Sequence, residues 1–177
     1  MGETVDVNSV YTLYVNDMFI YGKYLGFERE VIKDAIHDVF VKITEKSEVL
    51  DGVSSMKYYL FKALKNRLLD IYTKEHRNVD INEASLKNEL PFVIDVNVEK
   101  LMINEEKKAK IKSEVEEMLS ILSPRQREII YLKYVQDYDY EEIANLMQIT
   151  VHSCRKLVSK AIVTLRERFV LLSFILQ

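Results

Sequence analysis

The chain has 177 residues, and its 25 lysine and arginine residues against 28 aspartate and glutamate residues give a formal net charge of −3. A content of 48% hydrophobic and 30% charged residues is typical of a globular protein and argues against disorder, while four glycines and two prolines are too few for the turns of an all-β fold. The single cysteine excludes an internal disulfide framework, and without a secretion signal or an apolar run of about 18 residues we expect a cytoplasmic protein with no membrane span.

The first two predicted helices have apolar residues at helical spacing. One extends from Val10 to Tyr24 and is rich in tyrosine. In the second, "EREVIKDAIHDVFVKI", the apolar positions recur at steps of four, which is typical of an amphipathic helix. The polar face of this second helix displays Asp34, His37, Asp38 and Lys42.

The third predicted helix, "MKYYLFKALKNRLLDIYTKEHR", combines basic and aromatic residues. Ser55 is its predicted N-cap, and the apolar period of 3.6 holds for about four turns. Residues 57–78 contain six basic and two acidic side chains. Aromatic residues beside such charges stack on nucleic-acid bases, at about 1–3 kcal/mol per base. The alternative is that Tyr58 and Phe61 complete a core and that the charges form an ordinary solvated face.

Helical periodicity is lost over residues 79–105, which are acidic and contain one of the two prolines. We interpret this stretch as a linker with room for one short helix. A new helical pattern begins near Asn104, and its apolar positions are Ile111, Val115, Met118, Leu119 and Leu122.

The C-terminal third has the clearest helix start signals. The sequence "SPRQ" from Ser123 is a capping box with proline at the first helical position, and "DYEE" from Asp139 is a second capping box. Thr150 is the predicted cap of a longer basic helix, since residues 151–177 contain five basic side chains and one acidic. A short helix, a tight turn and a longer basic helix are typical of a helix-turn-helix. A plain structural corner is the alternative.

In a helix-turn-helix, the N-terminal half of the second helix enters the major groove, which is about 12 Å wide. Cys154 lies on the apolar stripe of that helix and is expected in the core. The turn residue Gln148 stands where glycine is common, and a left-handed conformation there costs about 1 kcal/mol. The residues on the side that can contact base edges and phosphates are Thr150, His152, Ser153, Arg155, Lys156, Ser159 and Lys160.

The sequence has no catalytic or metal-binding constellation. The three histidines lie in separate segments, zinc motifs with grouped cysteines and histidines are absent, and there is no glycine-rich phosphate loop. We therefore expect a protein that is not an enzyme and that uses no metal, no cofactor and no small-molecule substrate.

Two parts of the chain resemble the sigma factors of bacterial RNA polymerase. The segments "IKDAIHDVFVKI" and "YYLFKALKNRLLDIYTKEHR" resemble region 2, and the run from Leu122 to Phe169 resembles region 4. Their order, the acidic linker and the short length are similar to the extracytoplasmic-function (ECF) subgroup of the sigma-70-like family. The matching positions in the second run are Leu122, Pro124, Arg127, Leu132, Tyr140, Glu142, Ile143, Ala144, Leu165 and Arg166.

The resemblance implies an all-α fold of two small helical domains joined by a linker. Region 2 would occupy residues 8–78, the linker 79–106 and region 4 residues 107–170. An apolar tail follows at 171–177. The apolar residues from Phe169 onwards either pack on the protein's own surface or dock a partner.

The function implied by the resemblance is promoter recognition, −10 melting and transcription initiation in a complex with core RNA polymerase. The β′ clamp helices would bind Asp34, His37, Asp38 and Val41. The −10 element would contact Phe61, Lys62, Lys65, Asn66 and Asp70, and the loop at 50–55 would receive an unstacked base. The −35 element would contact the helix from Thr150 to Lys160. The polymerase β flap and an anti-sigma factor are further implied partners.

Two other functions remain open at this level. A free-standing helix-turn-helix transcriptional regulator would have to dimerise in order to bind paired half-sites. A helical protein-interaction module would use its basic runs only as surface, and salt would then have no effect on any nucleic-acid affinity.

Overall fold

The computed structural model describes residues 6–45, 55–75, 90–97, 99 and 104–175. Within these ranges the chain forms helices, turns and irregular segments and no strand, so the predicted all-α fold is confirmed. The chain divides into two compact units, Met1–Pro91 and Phe92–Gln177. The division falls within the stretch that the sequence predicted to be a linker.

The described residues of the first unit form three helices, and each of them packs against the other two. They are α1 (Val7–Tyr24), α2 (Arg29–Glu45) and α3 (Met56–Glu75). The backbone N–H of Tyr58 donates to Ser55 Oγ at 3.3 Å, which confirms Ser55 as the cap of α3. Asp6 caps α1 in the same manner, since its carboxylate accepts from the N–H groups of Asn8 and Ser9.

Helix α3 is buried over a wider face than its apolar stripe indicated, because α1 and α2 both pack on it. Phe61 is 0% exposed, and its ring centroid lies 5.0 Å from that of Tyr21. Lys65 is only 7% exposed. The structure therefore corrects the expectation that Phe61 and Lys65 lie on a DNA-facing surface: Phe61 belongs to the core, and Lys65 is enclosed by the same packing.

Two glycines allow close packing at the junction of α1 and α2. Gly26 has a φ of +86°, and a Cβ atom built on it would lie 2.6 Å from Pro91 Cγ. A Cβ atom on Gly22 would lie 2.9 Å from the side chain of Ile32. Because real Cβ atoms do not come that close, both positions require glycine for the observed approach of their neighbours.

Four α-helices and one π-helical turn make up the described helical part of the second unit. The helices are α4 (Glu105–Ser120), α5 (Pro124–Ile130), α6 (Tyr140–Met147) and α7 (Val151–Ile175), and the π-helical turn covers Tyr131–Val135. Both capping boxes, at Ser123 and at Asp139, are formed as predicted. Asn104 caps α4 by accepting the N–H of Lys107 at 2.9 Å. Helix α6 packs against α7, as expected for the short and long helices of a helix-turn-helix, and α5 packs against α7 as well.

The α6–α7 turn has the geometry expected of a helix-turn-helix. Gln148 has φ 54° and ψ 48°, the left-handed conformation anticipated for this position. The N–H of Ile149 donates to Ala144 O at 2.9 Å and closes the end of α6. Thr150 Oγ1 accepts the N–H of Ser153 at 3.1 Å, so Thr150 is the cap of α7.

The residues that follow Pro91 belong to the second unit. Phe92 is 1% exposed, and its ring centroid lies 5.6 Å from that of Tyr131. Arg127 donates through Nε to Phe92 O and through Nη1 to Leu122 O, and burial lowers the pKa of its guanidinium group from the usual value. Phe92, near the middle of the predicted linker, is thus held in place by an arginine of α5.

None of the described helices is both long enough and apolar enough to span a membrane. Helix α7 continues to Ile175, so the backbone of the predicted apolar tail is helical as far as it is described. Outside the described residues lie the side chains of the tail, residues 50–54 of the loop expected to receive a base, and much of the stretch 79–105 in which the sequence left room for one short helix.

Replacing Gln148 by glycine is expected to raise the free energy of unfolding of the second unit by up to about 1 kcal/mol. The left-handed conformation costs an L-residue roughly 1–2 kcal/mol, and the greater unfolded-state entropy of glycine offsets about 0.5–1 kcal/mol of the gain. Denaturant unfolding measures this difference. Gln148→Ala is the control, since alanine retains the strain and should give no gain. A less stable glycine variant would contradict the argument.

Candidate nucleic-acid interface

All seven side chains that the sequence assigned to the recognition surface of α7 are exposed. The structure brings them together at the N-terminal end of α7, directly after the turn of the helix-turn-helix. Thr150 and Ser153 are also bonded to each other, since Thr150 Oγ1 donates to Ser153 Oγ at 2.9 Å. The exposed set comprises Thr150, His152, Ser153, Arg155, Lys156, Ser159 and Lys160.

Two residues that the sequence analysis did not assign to this surface, Lys133 and Tyr140, lie beside it. Lys133, from the π-helical turn, places its Nζ 5.3 Å from the ring centroid of Tyr140. Arg155 places its Cζ 5.5 Å from the centroid of the same ring. Tyr140 was noted only as a position of the family pattern, and its contacts could not be found from sequence spacing because the two cations belong to different elements.

Cys154 lies beneath this surface and is fully buried, as expected for a core residue. Burial raises the pKa of the Cys154 thiol, and the positive charges of Arg155 and Lys133 oppose that shift. The thiol therefore stays protonated at neutral pH and is inaccessible, so Cys154 is not a nucleophile.

On the first unit, the residues assigned to a protein contact share one face of α2. Their spacing of three, four and seven residues places them on consecutive turns of that face. Val41 is 37% exposed, which leaves an apolar side chain at the end of an otherwise polar row. Asp38 is partly buried, whereas the other three are exposed; the row is Asp34, His37, Asp38 and Val41.

An open groove of about 500 Å³ runs between α2 and α3, and we refer to it as the α2–α3 groove. Burial raises the pKa of the Tyr59 hydroxyl at this groove, so the hydroxyl stays neutral. Lys62 Nζ lies 5.6 Å from the ring centroid of Tyr58. The lining includes three cations, two carboxylates, two tyrosines and an amide: Lys42, Lys62, Arg67, Asp38, Asp70, Tyr58, Tyr59 and Asn66.

Of the five residues assigned to −10 contacts, three line this groove. Lys62 is half-buried, and Asn66 and Asp70 are exposed one helical turn apart on α3. Phe61 and Lys65 are buried and do not line it.

Arg67 joins the two helices across the groove and was missed by the sequence analysis. Its Nε donates to Asp38 Oδ2 at 2.6 Å, and its second terminal nitrogen lies 2.6 Å from the same oxygen. A basic residue next to Asn66 was visible in the sequence, but its partner lies 29 positions away on α2. Asp38, expected on one surface, and Lys62 and Asn66, expected on another, therefore line a single groove.

No cluster of histidine, cysteine and acidic side chains suited to a metal ion occurs in the ranges that the structure describes. The arrangement offers exposed cations, hydrogen-bonding groups and aromatic faces. These groups can bind phosphates and bases.

Comparisons with known proteins point to one family. The family model described as Sigma-70, region 4 matches residues 112–165. The chain is similar to the ECF RNA polymerase sigma factor SigM of Bacillus subtilis (strain 168), with 20% identity over 155 residues, 88% of this chain and 90% of that protein.

Two solved structures share the fold. One is the sigma factor RpoE in complex with the anti-sigma factor NepR from Bartonella quintana, with a TM-score of 0.60 and 21% identity over 90% of this chain and 94% of that one. The other is CnrH in complex with the cytosolic domain of CnrY, with a TM-score of 0.54 and 16% identity over 95% of this chain and 90% of that one.

Proposed function

We propose that this chain, which is a sigma-70-like RNA polymerase sigma factor of the ECF group, binds core RNA polymerase through the exposed face of α2 and positions two DNA-binding surfaces on a promoter. In this proposal α7 contacts the −35 element, and the α2–α3 groove with the exposed side of α3 contacts the −10 element. The chain contributes binding and positioning but no catalysis of its own, and it acts in the cytoplasm.

The observation that supports this proposal best is the surface of α7. Seven polar or basic side chains are exposed on one helix that follows a helix-turn-helix turn. The carboxylates of Asp139 and Glu142 at the start of α6 are used in the capping box, so they are already bonded to backbone N–H groups. Since these two carboxylates are engaged in the cap of α6, the cations Arg155, Lys156 and Lys160 on α7 would be available to DNA, as a major-groove contact requires.

In the first unit, the supporting observation is that Asp34, His37 and Val41 are exposed along one face of α2. A polar row that ends in an apolar side chain suits a protein partner better than DNA, because its carboxylates would repel phosphates. The α2–α3 groove, which Asp38 also lines, adds three cations and two aromatic rings to its two carboxylates. This difference in composition favours polymerase on the exposed row of α2 and DNA at the groove.

An anti-sigma factor is the third proposed partner. In the structures to which this chain is similar, RpoE is bound to the anti-sigma factor NepR and CnrH is bound to the cytosolic domain of CnrY. The free-standing regulator considered above is not favoured, because the similarity to SigM extends over both units rather than over the helix-turn-helix alone.

The polymerase β flap is a further proposed partner, and it would contact the second unit.

The direct test is transcription in vitro by purified core polymerase on a library of genomic fragments, with and without the chain. We expect discrete start sites that depend on the chain. Each start site should be preceded by two shared sequence elements. Start sites identical in both reactions would contradict the proposal, and so would tight sequence-specific binding by the chain alone as a dimer.

Reversing the charge of Asp34 is expected to weaken binding to core polymerase by about tenfold or more. Like charges brought together at an interface cost several kcal/mol, and Asp34 is exposed as the first residue of the proposed row. Asp34→Arg is a cleaner variant than Asp38→Arg, because Asp38 is bonded to Arg67 and its reversal would place two cations together within the unit.

Pull-down of core polymerase and its dissociation constant measure this effect. Glu28→Arg makes the same charge change at an exposed site that precedes α2 and should retain binding. If Asp34→Arg and Glu28→Arg bound polymerase equally well, the assignment of this face would be wrong.

A further inference from the structure

A short irregular segment at the start of the second unit, residues 92–95, is fastened to the helices of that unit, and we call it the strap. Its first residue, Phe92, is 1% exposed, and its ring centroid lies 5.6 Å from that of Tyr131. Its last residue, Asp95, accepts a hydrogen bond from Lys112 Nζ on α4 at 2.9 Å. The strap is therefore held at both ends by the unit that contains the helix-turn-helix.

Arg127 on α5 joins the strap to the end of α4. Its Nε donates to Phe92 O, while its Nη1 donates to Leu122 O at 2.7 Å and to Leu119 O at 3.4 Å. Carbonyl groups at the C-terminal end of a helix lack helical partners and attract a cation. One guanidinium group thus bonds both the end of α4 and the first residue of the strap.

The two ends of the strap are held with different strength. An exposed ion pair contributes little to stability, and the side chains of Lys112 and Asp95 are 41% and 70% exposed. A buried aromatic ring and charge-assisted bonds from a half-buried guanidinium group contribute more. Phe92 and Arg127 therefore provide most of the attachment, and the ion pair fixes the direction of the strap along α4.

The residues that follow the strap are attached to the same unit at both ends. Asp95 precedes them and is bonded to Lys112, and Asn104 follows them and caps α4. Residues 96–103 therefore begin and end on the second unit and add nothing to the distance between the two units. The part of the chain that can act as a tether is residues 76–91, between the end of α3 and the strap.

The length of this tether is close to what promoter binding needs. The −10 and −35 elements are named for positions about 25 base pairs apart, which is about 85 Å along the DNA. Sixteen extended residues span at most about 53 Å, and a unit of about 90 residues is about 30 Å across. Pro91 packs at Gly26 in the first unit, so the full length is available only after Pro91 has left that position. With residues 92–103 released as well, the tether would reach about 92 Å by itself.

We propose that the strap sets the largest distance between the −10 and −35 elements at which this chain supports initiation, because it withholds residues 92–103 from the tether. Arg127 is the positioning residue that keeps the strap in place. The inference rests on the proposed function, since it presumes that both units contact one promoter. It assigns selectivity for promoter spacing to particular residues within the predicted linker.

Two insertions of equal length test the proposal. Four flexible residues are inserted either between Lys87 and Asn88, within the tether, or between Glu99 and Lys100, behind the strap. Core polymerase with each full-length chain then transcribes templates in which the spacing of one mapped promoter is lengthened by single base pairs. The tether insertion should improve transcription at two extra base pairs at least about fivefold over wild type, since it adds about 13 Å where about 7 Å is needed. The insertion behind the strap is the matched control and should leave the spacing profile unchanged.

A substitution of Arg127 tests its positioning role. Arg127→Met retains the apolar stem but has no donor for Phe92 O. It should transcribe the lengthened templates better than wild type does, while Lys110→Met, at an exposed cation of α4, should not. Denaturant unfolding verifies that the second unit stays folded. If Arg127→Met unfolds, the two insertions still decide the proposal.

The outcomes separate this inference from the proposed function. If both insertions extend the accepted spacing equally, the strap does not hold the chain and the inference is wrong. If neither insertion does so, chain length does not limit the spacing and the inference is again wrong. In both cases chain-dependent start sites remain, and the proposed function stands. If no template supports chain-dependent transcription at any spacing, the proposed function fails and this inference fails with it.

Discussion

Replacing Phe61 by alanine is expected to lower the free energy of unfolding of the first unit by about 3–5 kcal/mol. Phe61 is 0% exposed on α3, and its ring lies against that of Tyr21 on α1. Truncation removes the contacts of a whole ring and leaves a cavity between two helices that cannot close completely. Because such a loss is comparable with the total stability of many small domains, we expect the unit to be largely unfolded.

Denaturant unfolding followed by circular dichroism measures this change, and hydrogen exchange of α1–α3 assigns it to the first unit. Phe61→Leu is the matched control. It should cost less than about 1.5 kcal/mol, because leucine refills much of the space. A second comparison is Tyr58→Ala, since Tyr58 is half-buried at the groove and should affect DNA more than stability.

The two roles considered for Phe61, a core residue and a residue that stacks on a base, predict opposite results. A residue that stacks on an unpaired base would leave stability unchanged when truncated and would impair promoter opening. If Phe61→Ala melted as the wild-type chain does and failed only in opening, the core assignment would be contradicted.

Replacing Arg155 by alanine is expected to reduce transcription from promoters that need the −35 element by about tenfold or more. A well-formed contact to a base or phosphate contributes roughly 1–3 kcal/mol, and each 1.4 kcal/mol is a factor of ten. Arg155 is exposed on α7 and has no carboxylate partner among the described contacts. Its loss should not affect the fold, since its side chain lies over a ring rather than in the core.

Transcription in vitro at a range of holoenzyme concentrations measures the effect, and pull-down of core polymerase serves as the check on docking. Lys110→Ala removes a cation from α4 and should transcribe normally. An Arg155→Ala variant that lost polymerase binding in parallel with transcription would show that this part of α7 contacts the enzyme and not DNA.

The ion pair between Asp38 and Arg67 affects the choice of variants for testing polymerase and DNA binding by the first unit. Since the pair spans the α2–α3 groove, a change at either residue alters both proposed surfaces. Variants at Asp34 and Asn66 avoid this problem, because the first is exposed on α2 and the second is exposed on α3. Their effects on polymerase binding and on DNA contacts should therefore be separable.

The helix starts were predictable from sequence because they depend on contacts within four residues. Ser55, Ser123, Asp139 and Thr150 all cap the helices to which they were assigned. The left-handed turn at Gln148 was also anticipated, since a residue that ends one helix directly before the next commonly adopts this conformation.

The exposed side of α3 was predicted less well, for a physical reason. A period of 3.6 identifies the centre of a buried stripe but not its width, and the width depends on how many helices pack on it. With α1 and α2 both in contact, the stripe of α3 widens until Phe61 and Lys65 are enclosed.

The helices, their caps and the helix-turn-helix follow from the order of the residues, because local hydrogen bonds and apolar spacing are properties of adjacent residues. Which charged and aromatic side chains remain exposed depends on the tertiary structure. It paired Arg67 with Asp38, buried Phe61, and brought Lys133 and Arg155 to Tyr140. These contacts join different elements, so they depend on how the elements pack, which spacing along the chain does not specify.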